Sequence, residues 1–339
     1  MKDWFLLFRP WSYTATLVPF LIAAALAAGG GTDNYAMWWR WGLGLLAGLL
    51  FQATVNLLNT WGDERSGVDD APGAIRTTPQ VHDGKVSMRT LFIVASICLA
   101  LAVAIGVSLC FYKTYSEEPE WNFCWTLLVA GIVGALGSIN YSTGIKFKYH
   151  GLGVPFVSFL MGPLEILVAV AVMMPREVDR LIGVLFMSMK EHSFGALTLP
   201  LCFILLSLPV ALLVGVIMHG NDMRDIPSDR AAGIVTLASW LGPRRALEYY
   251  RFCHIFPYAI TATIAVLGCM AFFIGSECCA WLLLPCLAWP ISRRTVRTAR
   301  RVYLENPDSP KWRGLERASG LVHLVFGLLY AMAIFMTTW

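Results

Sequence analysis

Nine blocks of apolar residues divide this chain of 339 residues, and most are as long as a bilayer is thick. A helix needs about 20 residues to cross the hydrocarbon. The blocks lie near 11–29, 41–58, 91–112, 122–140, 152–174, 197–218, 251–274, 277–291 and 319–338. They are continuous runs and not one-sided stripes. Only 14% of the residues are charged, too few to cover a water-soluble domain of this size. The eighth block is short and holds Pro285 and Pro290, so it is the weakest of the nine. The expected fold is all-α: a polytopic membrane protein of nine transmembrane helices, forming one domain over 1–339.

Basic residues orient the bundle. With the N-terminus cytoplasmic, only Arg40, Lys113, Arg176, Arg180 and Lys190 of the 26 Lys and Arg fall on the outer side. The inner loops are then 59–90, 141–151, 219–250 and 292–318, and they hold nearly all the Asp, Asn, Arg and Gly of interest. The run from Arg293 to Arg301 reads as a contact for lipid headgroups. Given this sidedness, a net charge of +4 is no reason to invoke nucleic acid. Met1 to Arg9 leads straight into a full-length span without a small-residue cleavage site, so a cleavable signal is not expected. The nine cysteines show no CxxC pair and no metal-ligand spacing, and they read as packing residues.

Two polar stretches end the second and sixth spans. In the first, Gln52, Asn56, Asn59 and Asp63 are spaced 4, 3 and 4, which places them on one helical face, with Asp69 following beyond Gly67. In the second, Asn221, Asp225 and Asp229 follow i, i+4, i+8, interleaved with Arg224 and Arg230. Polar residues on a membrane helix face a watery cavity, not lipid. Oxygen-rich clusters suit Mg²⁺, usually with substrate phosphates completing the shell. Arg recognises phosphate through two bonds at once, though Arg224 and Arg230 can equally neutralise the neighbouring carboxylates.

One such stretch is ordinary at a helix end that meets water; two of the same form on one side point to a site. Asn59 and Asn221 are 162 residues apart, as are Asp63 and Asp225. This offset is compatible with two related halves, although Asp69 and Asp229 do not keep it. A cation- or proton-coupled transporter is the alternative from another class, but its carboxylates belong near mid-membrane, not at helix ends among Arg and Lys.

Four stretches carry a resemblance to a known family. They are Arg9-Pro-Trp-Ser-Tyr-Thr-Ala-Thr-Leu-Val-Pro19, the first acidic motif, Tyr141 through Gly153, and Asn221 through Gly242. Together and in order they resemble the UbiA superfamily of intramembrane prenyltransferases, most closely its MenA-like branch. The resemblance implies nine helices around a central cavity capped by cytoplasmic loops. It implies transfer of a prenyl chain from a prenyl diphosphate to an aromatic acceptor, in this branch 1,4-dihydroxy-2-naphthoate, which loses its carboxylate to give a demethylmenaquinone. By motif, Asn59, Asp63, Asp69, Asn221, Asp225 and Asp229 would hold Mg²⁺, two ions bridging the diphosphate. Asn56, Arg76, Arg224 and Arg230 would help bind substrate, and Tyr141 and Lys146 would flank the diphosphate as catalytic groups with Asp63 and Asp225.

The chain departs from the pattern at Thr60, where many relatives have Asp, and at Ile234, where bacterial relatives often have Lys. Glu165, in the fifth span, matches no family residue and reads either as a proton acceptor or contact for the acceptor ring, or as a carboxyl kept neutral or paired with another helix. A 4-hydroxybenzoate or homogentisate acceptor would use the same diphosphate site. The absence of a long N-terminal extension favours a bacterial inner membrane, with the site facing the cytoplasm.

Overall fold

In lipid, each backbone N–H and C=O must find its partner within the protein, and long apolar runs meet that demand as helices. The computed structural model describes residues 2–29, 35–66, 79–111, 121–142, 144–175, 178, 198–272, 279–305 and 314–338. Among these residues there is no strand, only an isolated parallel bridge between His150 and Val235. The helices are α1 (Lys2–Phe8), α2 (Thr14–Gly29), α3 (Tyr35–Ser66), α4 (Pro79–His82), α5 (Met88–Phe111) and α6 (Trp121–Ser142). They continue with α7 (Gly153–Phe159), α8 (Glu165–Met173), α9 (Thr198–Ala231), α10 (Leu237–Phe272), α11 (Trp289–Glu305) and α12 (Leu315–Thr338). A π-turn over Leu160–Leu164 joins α7 to α8 and absorbs Pro163 without breaking the span.

Eight of the expected spans are helices long and apolar enough to cross a membrane. The eighth block is different: Cys279–Ala288 is a 3₁₀ helix of 10 residues that runs directly into α11. Pro285 takes an N–H donor out of this run. The 3₁₀ form rises about 2.0 Å per residue, so 10 residues reach about 20 Å, further than an α-helix of that length. Its continuation, α11, was expected as part of a loop. Ser292, Thr295, Ala299 and Val302 are buried along one side of it, while Arg293, Arg294, Arg297, Arg300 and Arg301 are exposed.

The outward faces of α5 and α6 expose Phe92, Ile97, Leu101, Val107, Leu128 and Ile132. In water such a surface would be an association hazard; against lipid it costs nothing. Inside, small residues bring helices together: a Cβ on Gly162 would lie 2.8 Å from Cα of Ala211 in α9. Buried polar pairs fix the helix register. Tyr250 meets Ser319 at 2.7 Å, Tyr258 donates to Ser292 at 3.0 Å, and His323 meets Thr14 at 3.1 Å. His254, 3.3 Å from Ser292, is likewise a core hydrogen-bonding group.

Helix α3 has 32 residues and α9 has 34. At 1.5 Å per residue each is about 50 Å long, against a hydrocarbon thickness of about 30 Å. Part of each must therefore project from the membrane. The ends carrying Asn59–Asp63 and Asn221–Asp229 both belong to the side rich in basic residues.

Candidate active site

The first acidic stretch ends α3 on a polar face. Thr60 accepts a hydrogen bond from Arg9 Nη2 at 3.3 Å and donates its own to the Asn56 carbonyl at 3.1 Å. Asn56 donates to the Phe8 carbonyl at 2.8 Å and to Ser12 Oγ at 2.9 Å. The α3 stripe is thus tied to the chain's first turns, where Arg9 adopts a left-handed conformation with φ 50°. That conformation is uncommon outside Gly and Asn, and side chains held so are characteristic of functional sites.

Asp63 receives its partners from the loop after α6. Lys148 Nζ lies 2.8 and 3.0 Å from its two carboxylate oxygens, and Tyr149 donates its hydroxyl at 2.9 Å. The loop is pinned from the other side: Val235 N–H donates to the Tyr149 carbonyl at 3.2 Å, beside the His150–Val235 bridge. The segment after α9 therefore delivers Lys148 to the end of α3. Burial disfavours a charged Lys148, but the adjacent Asp63 carboxylate outweighs it and holds the ammonium well above its ordinary pKa.

The second stretch ends α9. Arg224 forks onto Asp225 with two bonds of 2.6 Å and reaches Asn221 Oδ1 at 3.3 Å. Helix α9 closes in a Schellman turn: Gly233 has φ 69°, its N–H donates to the Arg230 carbonyl, and Ile234 N–H donates to the Asp229 carbonyl at 2.7 Å. The turn folds the chain back so that Thr236 Oγ1 donates to Asp229 Oδ2 at 2.8 Å. Asp222, one helical position from Asn221, is only 5% exposed and lies in the fields of Lys148 and Arg224.

A cavity of about 80 Å³ lies between the two stretches, lined by Arg9, Ser12, Asn56, Asn59, Tyr141 and Asn221. The Tyr141 hydroxyl is buried and has no hydrogen-bond partner among the described residues. Leu160 and Met161 line both this cavity and a larger apolar cleft of about 390 Å³ walled by α3, α5, α6 and α8.

The predicted residues divide accordingly. Asn56, Asn59, Tyr141 and Asn221 face the cavity, and Asp63, Asp225, Asp229 and Arg224 lie on the two helix ends around it. Lys146, φ 58°, is exposed and its Nζ stands 5.6 Å from the Tyr149 ring centre, so it is Lys148 that reaches Asp63. Arg230 is exposed and donates to the Ser239 carbonyl at 3.4 Å. Asp69 and Arg76 lie outside the described residues. Glu165 lines the cleft, not the cavity, and hydrogen-bonds Thr16. His219 is structural, its Nε2 2.9 Å from the Ala246 carbonyl, and His82 pairs with Glu64 at 3.4 Å. Arg9, Lys148, Tyr149 and Asp222 were missed as site residues. All four had a signal, since each lies within the stretches that carry the family resemblance.

As a metal site the donors are all oxygens, as a hard cation needs. Among the described residues, no three Asp, Glu, His or Cys side chains form a ready-made cage. The set fits an ion that takes one or two carboxylates and completes its shell from a phosphate ligand.

The sequence profile of the UbiA prenyltransferase family matches residues 16–311. Over 340 residues the chain is 28% identical to UbiA prenyltransferase domain-containing protein 1 of Homo sapiens, covering 97% of this chain and 82% of that protein. Its homolog in Drosophila melanogaster is 27% identical over 346 residues, covering 98% and 79%. A solved UbiA homolog from Aeropyrum pernix K1 matches with a TM-score of 0.54 at 14% identity, covering 97% of this chain and 98% of that one. A UbiA homolog from Archaeoglobus fulgidus bound to GPP and Mg²⁺ matches with a TM-score of 0.50 at 16% identity, covering 98% and 99%. At these identities the structural likeness is one of fold.

Proposed function

The chain belongs to the UbiA prenyltransferase family, and from that premise we propose that it transfers a prenyl chain from a prenyl diphosphate to 1,4-dihydroxy-2-naphthoate. The acceptor loses its carboxylate and a demethylmenaquinone results. One observation carries the reading: Asn59 and Asn221, from the two acidic stretches, line one cavity together with Arg9 and Tyr141.

Asn59, Asp63, Asn221, Asp225 and Asp229 are the oxygen donors assigned to Mg²⁺, with Asp69 assigned by motif alone; two ions bridging the diphosphate are proposed. The Archaeoglobus homolog holds GPP and Mg²⁺, which supports the metal assignment. Bound there, Mg²⁺ supplies charge neutralisation to the departing diphosphate. Arg9 and Lys148 contribute N–H donors to the same oxygens, the guanidinium with two bonds at once. The unpartnered Tyr141 hydroxyl is a donor that a bound ligand can satisfy, since leaving it unmet costs about 1–3 kcal/mol. Leu160 and Met161 lead from this polar end into the cleft, whose apolar walls accept the prenyl tail and keep water from the allylic carbon. An electron-rich ring carbon then attacks that carbon.

The naphthoate acceptor rests on the MenA-like sequence stretches. The protein is an integral membrane protein, and the basic-residue bias supports a site facing the cytoplasm. The relatives named above from Homo sapiens and Drosophila melanogaster are animal proteins, which gives the expectation of a bacterial inner membrane no support.

The test uses purified protein in detergent with a prenyl diphosphate, Mg²⁺ and 1,4-dihydroxy-2-naphthoate, read by mass spectrometry. Decarboxylated prenyl product that disappears with EDTA is the expected result. Product only with 4-hydroxybenzoate or homogentisate would move the acceptor, and silence with every acceptor from folded protein would overturn the reading.

A further inference from the structure

At the end of the bundle opposite the site, α5 and α6 wall the apolar cleft. Ala102, Gly106 and Cys110 line one side, and Leu127, Gly131 and Gly134 the other. Each helix carries a cysteine at its outer end: Cys110, next to last in α5, and Cys124, in the first turn of α6. The Cys124 thiol lies 3.7 Å from the Cys110 carbonyl oxygen, which places the two cysteines side by side. Both are free and partly exposed. The expectation that all the cysteines merely pack is therefore incomplete, because sequence spacing cannot show that two helix ends bring a pair of thiols together.

We propose that Cys110 and Cys124 form a disulfide that clamps the outer end of the cleft. The basic-residue bias puts this end on the non-cytoplasmic side, where a periplasm, lumen or extracellular medium sustains disulfides. The oxidant is a disulfide carrier, either an oxidised dithiol protein or glutathione disulfide. One cysteine thiolate attacks the carrier's disulfide to give a mixed disulfide, which the second thiolate resolves. One S–S bond forms and the carrier's breaks; two electrons and two protons pass to the carrier, which leaves as thiols. The bond would hold α5 and α6 together at the cleft mouth. That the cleft receives a prenyl tail rests on the function proposed above, but the bond itself does not.

The test treats the purified full chain with glutathione disulfide, blocks remaining thiols with N-ethylmaleimide, and maps unreduced peptides by mass spectrometry. The expected result is an intramolecular Cys110–Cys124 peptide pair, lighter by two hydrogens, absent from Cys110→Ser and Cys124→Ser. Alkylation of both thiols after oxidation, or pairing of either with another cysteine or another chain, overturns the proposal. Thermal unfolding reads the clamp independently: oxidation should raise the Tm of wild type reversibly, and leave Cys124→Ser unchanged. An unchanged Tm with the bond formed would remove the clamp.

Discussion

Lys148→Met separates the electrostatics of this site from its chemistry. The wild-type ammonium sits 2.8 and 3.0 Å from the Asp63 oxygens, and the two side chains are 16% and 12% exposed. At an effective dielectric near 20, unit charges at that separation attract by roughly 6 kcal/mol, and desolvation of both groups cancels much of it. Removing only the lysine leaves the desolvated carboxylate without its cation, at a cost of about 3–5 kcal/mol. Met keeps the apolar stem and roughly its length, so packing changes little. The variant should lose a large part of its thermal stability and at least ~10²-fold in kcat/KM, the scale of removing a major electrostatic group. Asp63→Asn combined with Lys148→Met discards both charges. That double variant should recover stability through a coupling of up to about 3 kcal/mol, while turnover stays lost. Thermal unfolding in detergent and product formation by mass spectrometry read the two effects separately. Wild-type turnover in Lys148→Met, or a double variant whose losses simply add, would refute the reasoning.

Asp225→Ala is expected to lose at least ~10²-fold in turnover while folded protein still accumulates in the membrane; near-normal product formation would end its assignment to the metal. Lys146→Met, at an exposed position, should stay within about 0.5 kcal/mol of wild type in stability and keep turnover, so a loss like that of Lys148→Met would reverse their assigned weights. Gly131 lines the cleft and a Cβ there meets nothing within 4 Å among the described residues, so Gly131→Leu should fold normally and discriminate against long prenyl donors relative to short ones. Equal rates with both lengths would remove the cleft from the substrate path. Gly162→Ala drives a methyl to 2.8 Å from the Ala211 backbone and should cost roughly 1–3 kcal/mol in unfolding measurements.

The fold was legible because its determinants are local. A long apolar run has one solution in lipid, and its flanking Lys and Arg fix its direction. The polar stripe Asn56, Asn59, Asp63 was equally legible, since helical spacing alone puts these side chains on one face. Locality also explains the eighth span, where the short run and Pro285 marked an exception without specifying a 3₁₀ helix. Which lysine meets Asp63 is a different kind of fact. Lys146 and Lys148 are two residues apart in one loop, and composition does not distinguish them. The choice falls to a left-handed turn at Lys146 and to the contact of Tyr149 and His150 with Val235, more than 80 positions along the chain. The same holds for Arg9 on Thr60, 51 residues away, and for Cys110 beside Cys124 across a helix hairpin. The sequence by itself determined that the chain crosses a membrane as helices and which chemical groups it brings to one side. Only the tertiary structure decided which of those groups meet, because pairing between distant segments depends on how helices pack and loops close, which no local spacing encodes.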